Sequence, residues 1–175
     1  MTEPQLIEAI RDTALLHGDF TLRSGRKSKY YLDKYLFATQ PKILAALGQK
    51  FAEHVDDSID RLAGPELGGI PLVTATALAT GLPMVLIRNA KKDYGTAKQF
   101  EGVLNPGDRV LITEDIATSG GQSIEAAKLL RDEMKVDVAK IVVVIDRQEG
   151  AREAINAAGF EFAALFTKAD LGINE

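Results

Sequence analysis

Residues 110–123 read Val-Leu-Ile-Thr-Glu-Asp-Ile-Ala-Thr-Ser-Gly-Gly-Gln-Ser. Val110, Leu111 and Ile112 predict a strand buried on both faces, with the adjacent carboxylates Glu114 and Asp115 at its end. A turn of hydroxyl and glycine residues follows, and residues 124–134 read as a helix. The turn therefore sets backbone N–H groups at a helix N-terminus, where the dipole favours an anion. Gly120 and Gly121 allow close approach of a phosphate, and Thr118, Ser119 and Ser123 add hydroxyl donors. The carboxylates repel that phosphate and need a neutral or cationic partner, which a sugar diol supplies. A ribose 5-phosphate satisfies both ends of the run. The lysine of a Walker loop and the spacing of the dinucleotide fingerprint are both missing.

The elements that position this run alternate along the chain. Residues 2–16 carry Leu6, Ile7, Ile10, Ala14 and Leu15 at helical spacing, with Gly18 as a stop. Residues 20–22 and 29–32 read as short strands around the turn signal Ser24-Gly25-Arg26-Lys27. Pro41 opens a helix to about Val55. A strand at 59–63 leads into the turn 64–71, a second possible anion cradle, and a helix at 71–80. Residues 83–87 read as a buried strand. Residues 88–100 are polar and aperiodic, a long loop of the kind that is usually functional. After the central strand and helix come a strand at 140–145 ending at Asp146-Arg147, a helix at 149–158 and a strand at 160–166. This alternation predicts an α/β fold: a parallel sheet flanked by helices. Ligands of such sheets bind beyond the carboxyl ends of the strands, where residues 64–69, Arg88, residues 114–122 and Arg147 all fall.

Composition narrows the function. The 175 residues are enough for one domain with a real core, and 46% hydrophobic content is ordinary. No domain boundary is evident. A net charge of −4 disfavours nucleic acid as a partner. The absence of cysteine excludes disulfides, thiolate catalysis and zinc–thiolate sites. His17 and His54 lie far apart and read as surface or packing residues. No apolar run reaches transmembrane length, no signal-peptide pattern opens the chain, and a cytoplasmic location is expected. Nine of the 21 Lys and Arg fall in two windows. Arg23, Arg26, Lys27, Lys29 and Lys34 form one; Arg88, Lys91, Lys92 and Lys98 form the other. Two basic stretches on an acidic chain suit a small polyanion, and a solvated charged face is the plainer reading.

The central run resembles the motif of type I phosphoribosyltransferases that binds 5-phosphoribosyl 1-diphosphate (PRPP): branched apolar residues, two acids, two apolar or small residues, then Thr-x-Gly. Three further segments resemble the orotate branch of that family. They are residues 20–31, similar to its N-terminal hood; 88–96 with Glu101-Gly102, similar to its mobile catalytic loop; and 146–150, similar to the segment whose arginine pairs with orotate. The resemblance implies a hood mainly within 1–35 on a single domain spanning 1–175. It also implies magnesium-dependent transfer of ribose 5-phosphate from PRPP to orotate, on the route to UMP.

By that resemblance Glu114 and Asp115 hold the ribose hydroxyls. Ile116, Ala117, Thr118, Ser119, Gly120, Gly121 and Gln122 surround the 5-phosphate, and Arg23, Arg88, Lys91, Lys92 and Tyr94 complete the PRPP site. Tyr30, Tyr31, Thr118 and Arg147 meet orotate, and Arg88, Lys92 and Asp115 are the catalytic residues. Magnesium arrives on PRPP with no direct protein ligand. A homodimer sharing the loop 88–100 across its interface is implied, with neither nucleic acid nor membrane as partner. The chain departs from the family pattern at Gln122, where many members have Ser or Thr, at Asn89, where lysine is common, and in the pyrophosphate turn, where the family's lysine is missing, Gly68 lies near that place and other members use small residues. The rival readings are a transferase for another base and a PRPP-binding regulator without catalysis.

Overall fold

The computed structural model describes residues 1–21, 25, 27–89 and 99–173. Arg23, Arg26, Lys91, Lys92, Tyr94 and Lys98 lie outside the described residues.

A six-stranded sheet forms the centre, in the order β5-β4-β3-β6-β7-β8. Its strands are β3 (Arg61–Pro65), β4 (Met84–Ile87), β5 (Phe100–Glu101), β6 (Arg109–Ala117), β7 (Asp137–Asp146) and β8 (Phe162–Thr167). All neighbours pair in parallel except the short edge strand β5, which runs antiparallel to β4. The parallel sheet expected from the alternation of elements is therefore present. The chain leaves β3 toward β4 on one side and returns to β6 on the other. The point where the winding reverses lies between β3 and β6, and a crevice opens there beyond the carboxyl ends.

Side-chain alternation along the strands builds two cores. Leu62, Leu111, Val142 and Val144 face one layer together with the helices α1 (Glu3–Ala14), α2 (Lys34–Ala38), α3 (Pro41–Ala52) and α4 (Gly69–Thr80). Ala63, Val110, Ile112, Ile141 and Val143 face the other with α5 (Gly121–Lys128) and α6 (Ala151–Ala157). The helices start and stop on local chemistry. Thr2 and Gln5 form a capping box at α1, Pro41 opens α3, and Gly81 closes α4 at φ 76°. α4 is apolar almost all round because it is packed against both α3 and the sheet. The packing is tight: a Cβ on Gly48 of α3 would stand 2.7 Å from the carbonyl oxygen of Ala75 in α4.

Several bounds differ from the sequence reading. The first helix ends at Ala14, and Leu15–Thr21 is already strand β1, paired antiparallel with β2 (Lys27–Leu32). β6 runs on through Glu114 and Asp115 to Ala117 rather than stopping before them. α5 begins at Gly121, and its continuation over Leu129–Glu133 is a π-turn. α2 had no counterpart in the sequence reading. It is a single short helix capped by Asp33, whose side chain accepts from the Tyr35 N–H at 3.0 Å.

Candidate active site

The two carboxylates sit inside a strand, so they point to opposite faces of the sheet. Asp115 shares the face of Leu111 and meets Lys34 of α2. Glu114 shares the face of Val110 and Ile112 and meets α5. Both are buried, at 2% and 8% exposure. Backbone N–H groups hold their orientation: that of Asp115 donates to Glu114 at 3.2 Å, and that of Ile116 donates to Asp115. Burial, together with the neighbouring Asp115 charge, pushes the Glu114 carboxyl up to about 8. Lys34 pulls it part of the way back.

Lys34 is a site residue that sequence reasoning counted only as part of a basic window. Its ammonium stands 2.8 Å from Asp115 Oδ2, across 81 positions of chain. Partial burial lowers the Lys34 pKa, but the charge and hydrogen bond of Asp115 outweigh this and leave it raised. The other described cations of that window serve the hairpin: Lys27 donates to Thr21 and Lys29 pairs with Asp19. The only local signal for Lys34 was Asp33 before an apolar stretch, a helix cap that carries lysine in its first turn.

The turn after β6 forms a small recess of about 90 Å³ lined by residues 114 and 116–123. Thr118, Ser119, Gly121 and Gln122 are exposed along it, whereas Ala117 and Ser123 are buried. Gly120 caps α5 at φ 78°, a conformation that favours glycine. A Cβ there would also stand 2.9 Å from Ile155 of α6. The N–H groups of the first turn of α5 are thus presented beside Glu114, as an anion cradle requires.

A larger cavity of about 250 Å³ adjoins this recess. Lys34, Glu66, Gly68, Arg88, Glu114 and Gln122 are among its lining residues. The turn after β3, the second cradle considered from sequence, supplies its floor. Glu66 accepts from the Asn89 N–H at 2.7 Å, tying that turn to the end of β4. Arg88 stands at that strand end, held by its N–H to the Gln99 carbonyl at 2.8 Å, and its guanidinium reaches Glu101 at 3.6 Å. Gly68 packs directly on the clamp: a Cβ would fall 1.5 Å from Asp115 Oδ2. Because Gly68 carries no side chain, the space next to Asp115 is open to Lys34.

Arg147 follows β7 and its N–H donates to the Ala117 carbonyl at 2.9 Å. Its guanidinium donates to the Tyr30 hydroxyl at 3.2 Å, lies 5.8 Å from that ring's centre and pairs with Glu149 at 3.1 Å. Asp146 supports the bend by accepting from the Gln148 N–H at 2.7 Å. Strand alternation separates the two tyrosines expected to act together. Tyr30 faces inward to Arg147; Tyr31 is exposed on the other face of the hairpin, against Phe20 at 5.6 Å. Of the sequence-derived residues, the structure thus gathers Arg88, Glu114, Asp115, the 116–122 turn, Arg147 and Tyr30 at one edge of the molecule, and leaves Tyr31 outside.

Comparison with known proteins shows the family. The family model described as a phosphoribosyl transferase domain matches residues 37–161. Over 172 residues the chain is 44% identical to the orotate phosphoribosyltransferase of Natronomonas pharaonis, covering 98% of each chain. Two solved structures of Mycobacterium tuberculosis orotate phosphoribosyltransferase superpose along its length. The complex with Fe(III) dicitrate has a TM-score of 0.88 at 32% identity, covering 98% of this chain and 99% of that one. The complex with 5-phospho-alpha-D-ribosyl 1-diphosphate has a TM-score of 0.83 at 30% identity, with the same coverage. The chain belongs to the phosphoribosyl transferase family and, within it, to the orotate phosphoribosyltransferases.

Proposed function

We propose that this chain transfers ribose 5-phosphate from PRPP to orotate, releasing pyrophosphate, as a step in UMP synthesis. The observation that carries the reading is one juxtaposition. The carboxylate pair and the glycine turn of β6–α5 share a sheet edge with a guanidinium fixed at the end of β7.

The α5 turn receives the 5-phosphate through main-chain N–H groups and the Thr118 and Ser119 hydroxyls. Glu114 and Asp115 accept from the two ribose hydroxyls, and the Asp115 charge favours the positive character that develops on the sugar. Arg88, Lys91 and Lys92 neutralise the pyrophosphate charge, and Arg23 and Tyr94 also take part in binding PRPP. The bond from ribose C1 to the pyrophosphate oxygen breaks, and its electron pair leaves with that oxygen. A bond from C1 to the orotate ring nitrogen forms as the proton on that nitrogen passes to the departing pyrophosphate. Arg147 holds the orotate carboxylate in planar, charge-assisted hydrogen bonds. Tyr30 keeps the guanidinium in place, Thr118 lines the same space, and Tyr31 serves the hairpin.

Among the described residues no group of three His, Cys, Asp or Glu is arranged to hold a metal. Magnesium would arrive on the phosphates of PRPP, which bind this hard cation. When bound it neutralises leaving-oxygen charge. A homodimer whose 88–100 loops close over each other's sites belongs to this proposal, as does the 1–175 chain acting as one unit with its hood at 1–35. Among the described residues no helix is long and apolar enough to cross a membrane. We place the chain in the cytoplasm, as suits a cysteine-free sequence.

The test is a panel of bases mixed with protein, PRPP and magnesium. Orotate absorbance should fall, with one pyrophosphate released per orotate consumed. Consumption of another base in preference to orotate, or PRPP binding without turnover of any base, would overturn the proposal.

A further inference from the structure

Two adjacent carboxylates, both buried, form an expensive arrangement unless a cation is supplied. Arg88 does not supply it, because its guanidinium is directed to Glu101. Among the described residues the cation within reach is Lys34, on the first turn of α2, 2.8 Å from Asp115 Oδ2. Its placement depends on two other features. Gly68 has no side chain, and any Cβ there would occupy the position of the Asp115 carboxylate oxygen. Asp33 caps α2 and so fixes the helical turn from which Lys34 extends. α2 is anchored by Phe37 and Ala38, both buried in the core shared with α1 and α3. Lys34 is thus presented by a rigid element and not by a free loop.

We propose that Lys34 is a positioning residue for ribose transfer: its ammonium offsets one of the two charges of the Glu114–Asp115 pair and aims Asp115 as a charged acceptor for a ribose hydroxyl. The inference rests on the placement of the PRPP ribose at this pair. A protonated Glu114 still accepts a hydroxyl hydrogen bond but lacks the charge that strengthens it. Without the Lys34 charge Glu114 holds its proton to higher pH, and the diol loses a charge-assisted bond. The Lys34–Asp115 contact also joins the N-terminal segment to the clamp, so the clamp is complete only when α2 is docked.

The test compares Lys34→Met, Lys34→Arg and Gly68→Ala with the wild-type protein, with Asp115→Asn as a reference. PRPP affinity is measured by calorimetry between pH 6 and 9. The charged groups around Lys34 are Asp115 and Glu114 on β6, Glu66 after β3, Arg88 after β4, Glu125 on α5 and the neighbouring Tyr35. Lys34→Met should weaken PRPP binding about tenfold or more near neutral pH and move the pH at which binding is half-developed upward. Lys34→Arg, which keeps the charge, should restore most of the affinity and the midpoint. Gly68→Ala, which displaces Asp115, should resemble Lys34→Met. A merely structural Lys34 would lower thermal stability and leave that midpoint unmoved. Should the methionine variant not fold, Lys34→Gln carries the same expectation. Unchanged affinity and midpoint in a folded Lys34→Met or Lys34→Gln protein, beside an Asp115→Asn protein that has lost PRPP, overturns the inference alone. A wild-type protein that binds no PRPP, or an Asp115→Asn protein that binds it normally, overturns the placement of the ribose as well.

Discussion

Glu114 and Asp115 are neighbours in sequence but face different surroundings, and that difference gives each a separate consequence. Glu114 is an acid raised by burial from 4.5 to about 8. The folded protein therefore holds a proton there that the unfolded chain releases. Stability linked to this group is fully present below about pH 4.5 and is lost as pH rises toward 8. Glu114→Gln should flatten the fall in stability between pH 5 and 8, as read by urea denaturation. Parallel pH profiles for the two proteins would show that Glu114 is not buried as an acid. Asp115→Asn keeps shape and removes charge, so kcat/KM should fall by about 10²-fold, roughly 2.7 kcal/mol of transition-state stabilisation. Near-normal kinetics there would remove Asp115 from the reaction. At this scale the sequence carried the acids, the glycine turn and Arg147, because each is defined by type and spacing. Lys34 was hidden because its meaning is a contact made 81 positions away, which no local pattern encodes.

The cradle is an element as much as a set of residues. α5 must start where β6 ends, and Gly120 makes that possible at φ 78° while lying against Ile155. Gly120→Val combines a left-handed strain of about 1–3 kcal/mol with a collision on α6. It should lower the melting temperature and abolish the protection that PRPP gives against heat. A variant with full stability and full PRPP protection would place the 5-phosphate elsewhere. Long elements with continuous branched runs, β6 and β7, were legible before the structure, since burial on both faces leaves a strong mark. β5 and α2 were not, being two and five residues long and fixed by tertiary packing. β1 was mistaken at its start because Leu15 continues the helical spacing of α1, while its backbone already pairs with Leu32. The π-turn after α5 has no signature in periodicity.

For the whole molecule, alternation of strands and helices foretold a parallel sheet, but strand order was not readable. Pairing partners are a property of three-dimensional packing, and β3 between β4 and β6 emerges only there. The shared loop is the claim that belongs to this scale. Lys92→Ala subunits mixed with Asp115→Asn subunits, each nearly inactive alone, give heterodimers in which one site carries both lesions and the other neither. Recovery of up to about half of a wild-type dimer's activity is expected. Heterodimers verified by mass spectrometry that show no recovery would confine each loop to its own site.

The central claim joins the ribose clamp to a base chosen by its carboxylate, and base discrimination measures that junction. The decisive quantity is the ratio of kcat/KM for orotate to kcat/KM for uracil, in the wild-type protein and in Arg147→Ala. Loss of a planar, charge-assisted pair should cost about 2–3 kcal/mol, so orotate should lose about 10²-fold while uracil changes little and the ratio collapses. A wild-type protein that uses uracil as well as orotate, or an Arg147→Ala protein whose ratio is unchanged, would contradict the account.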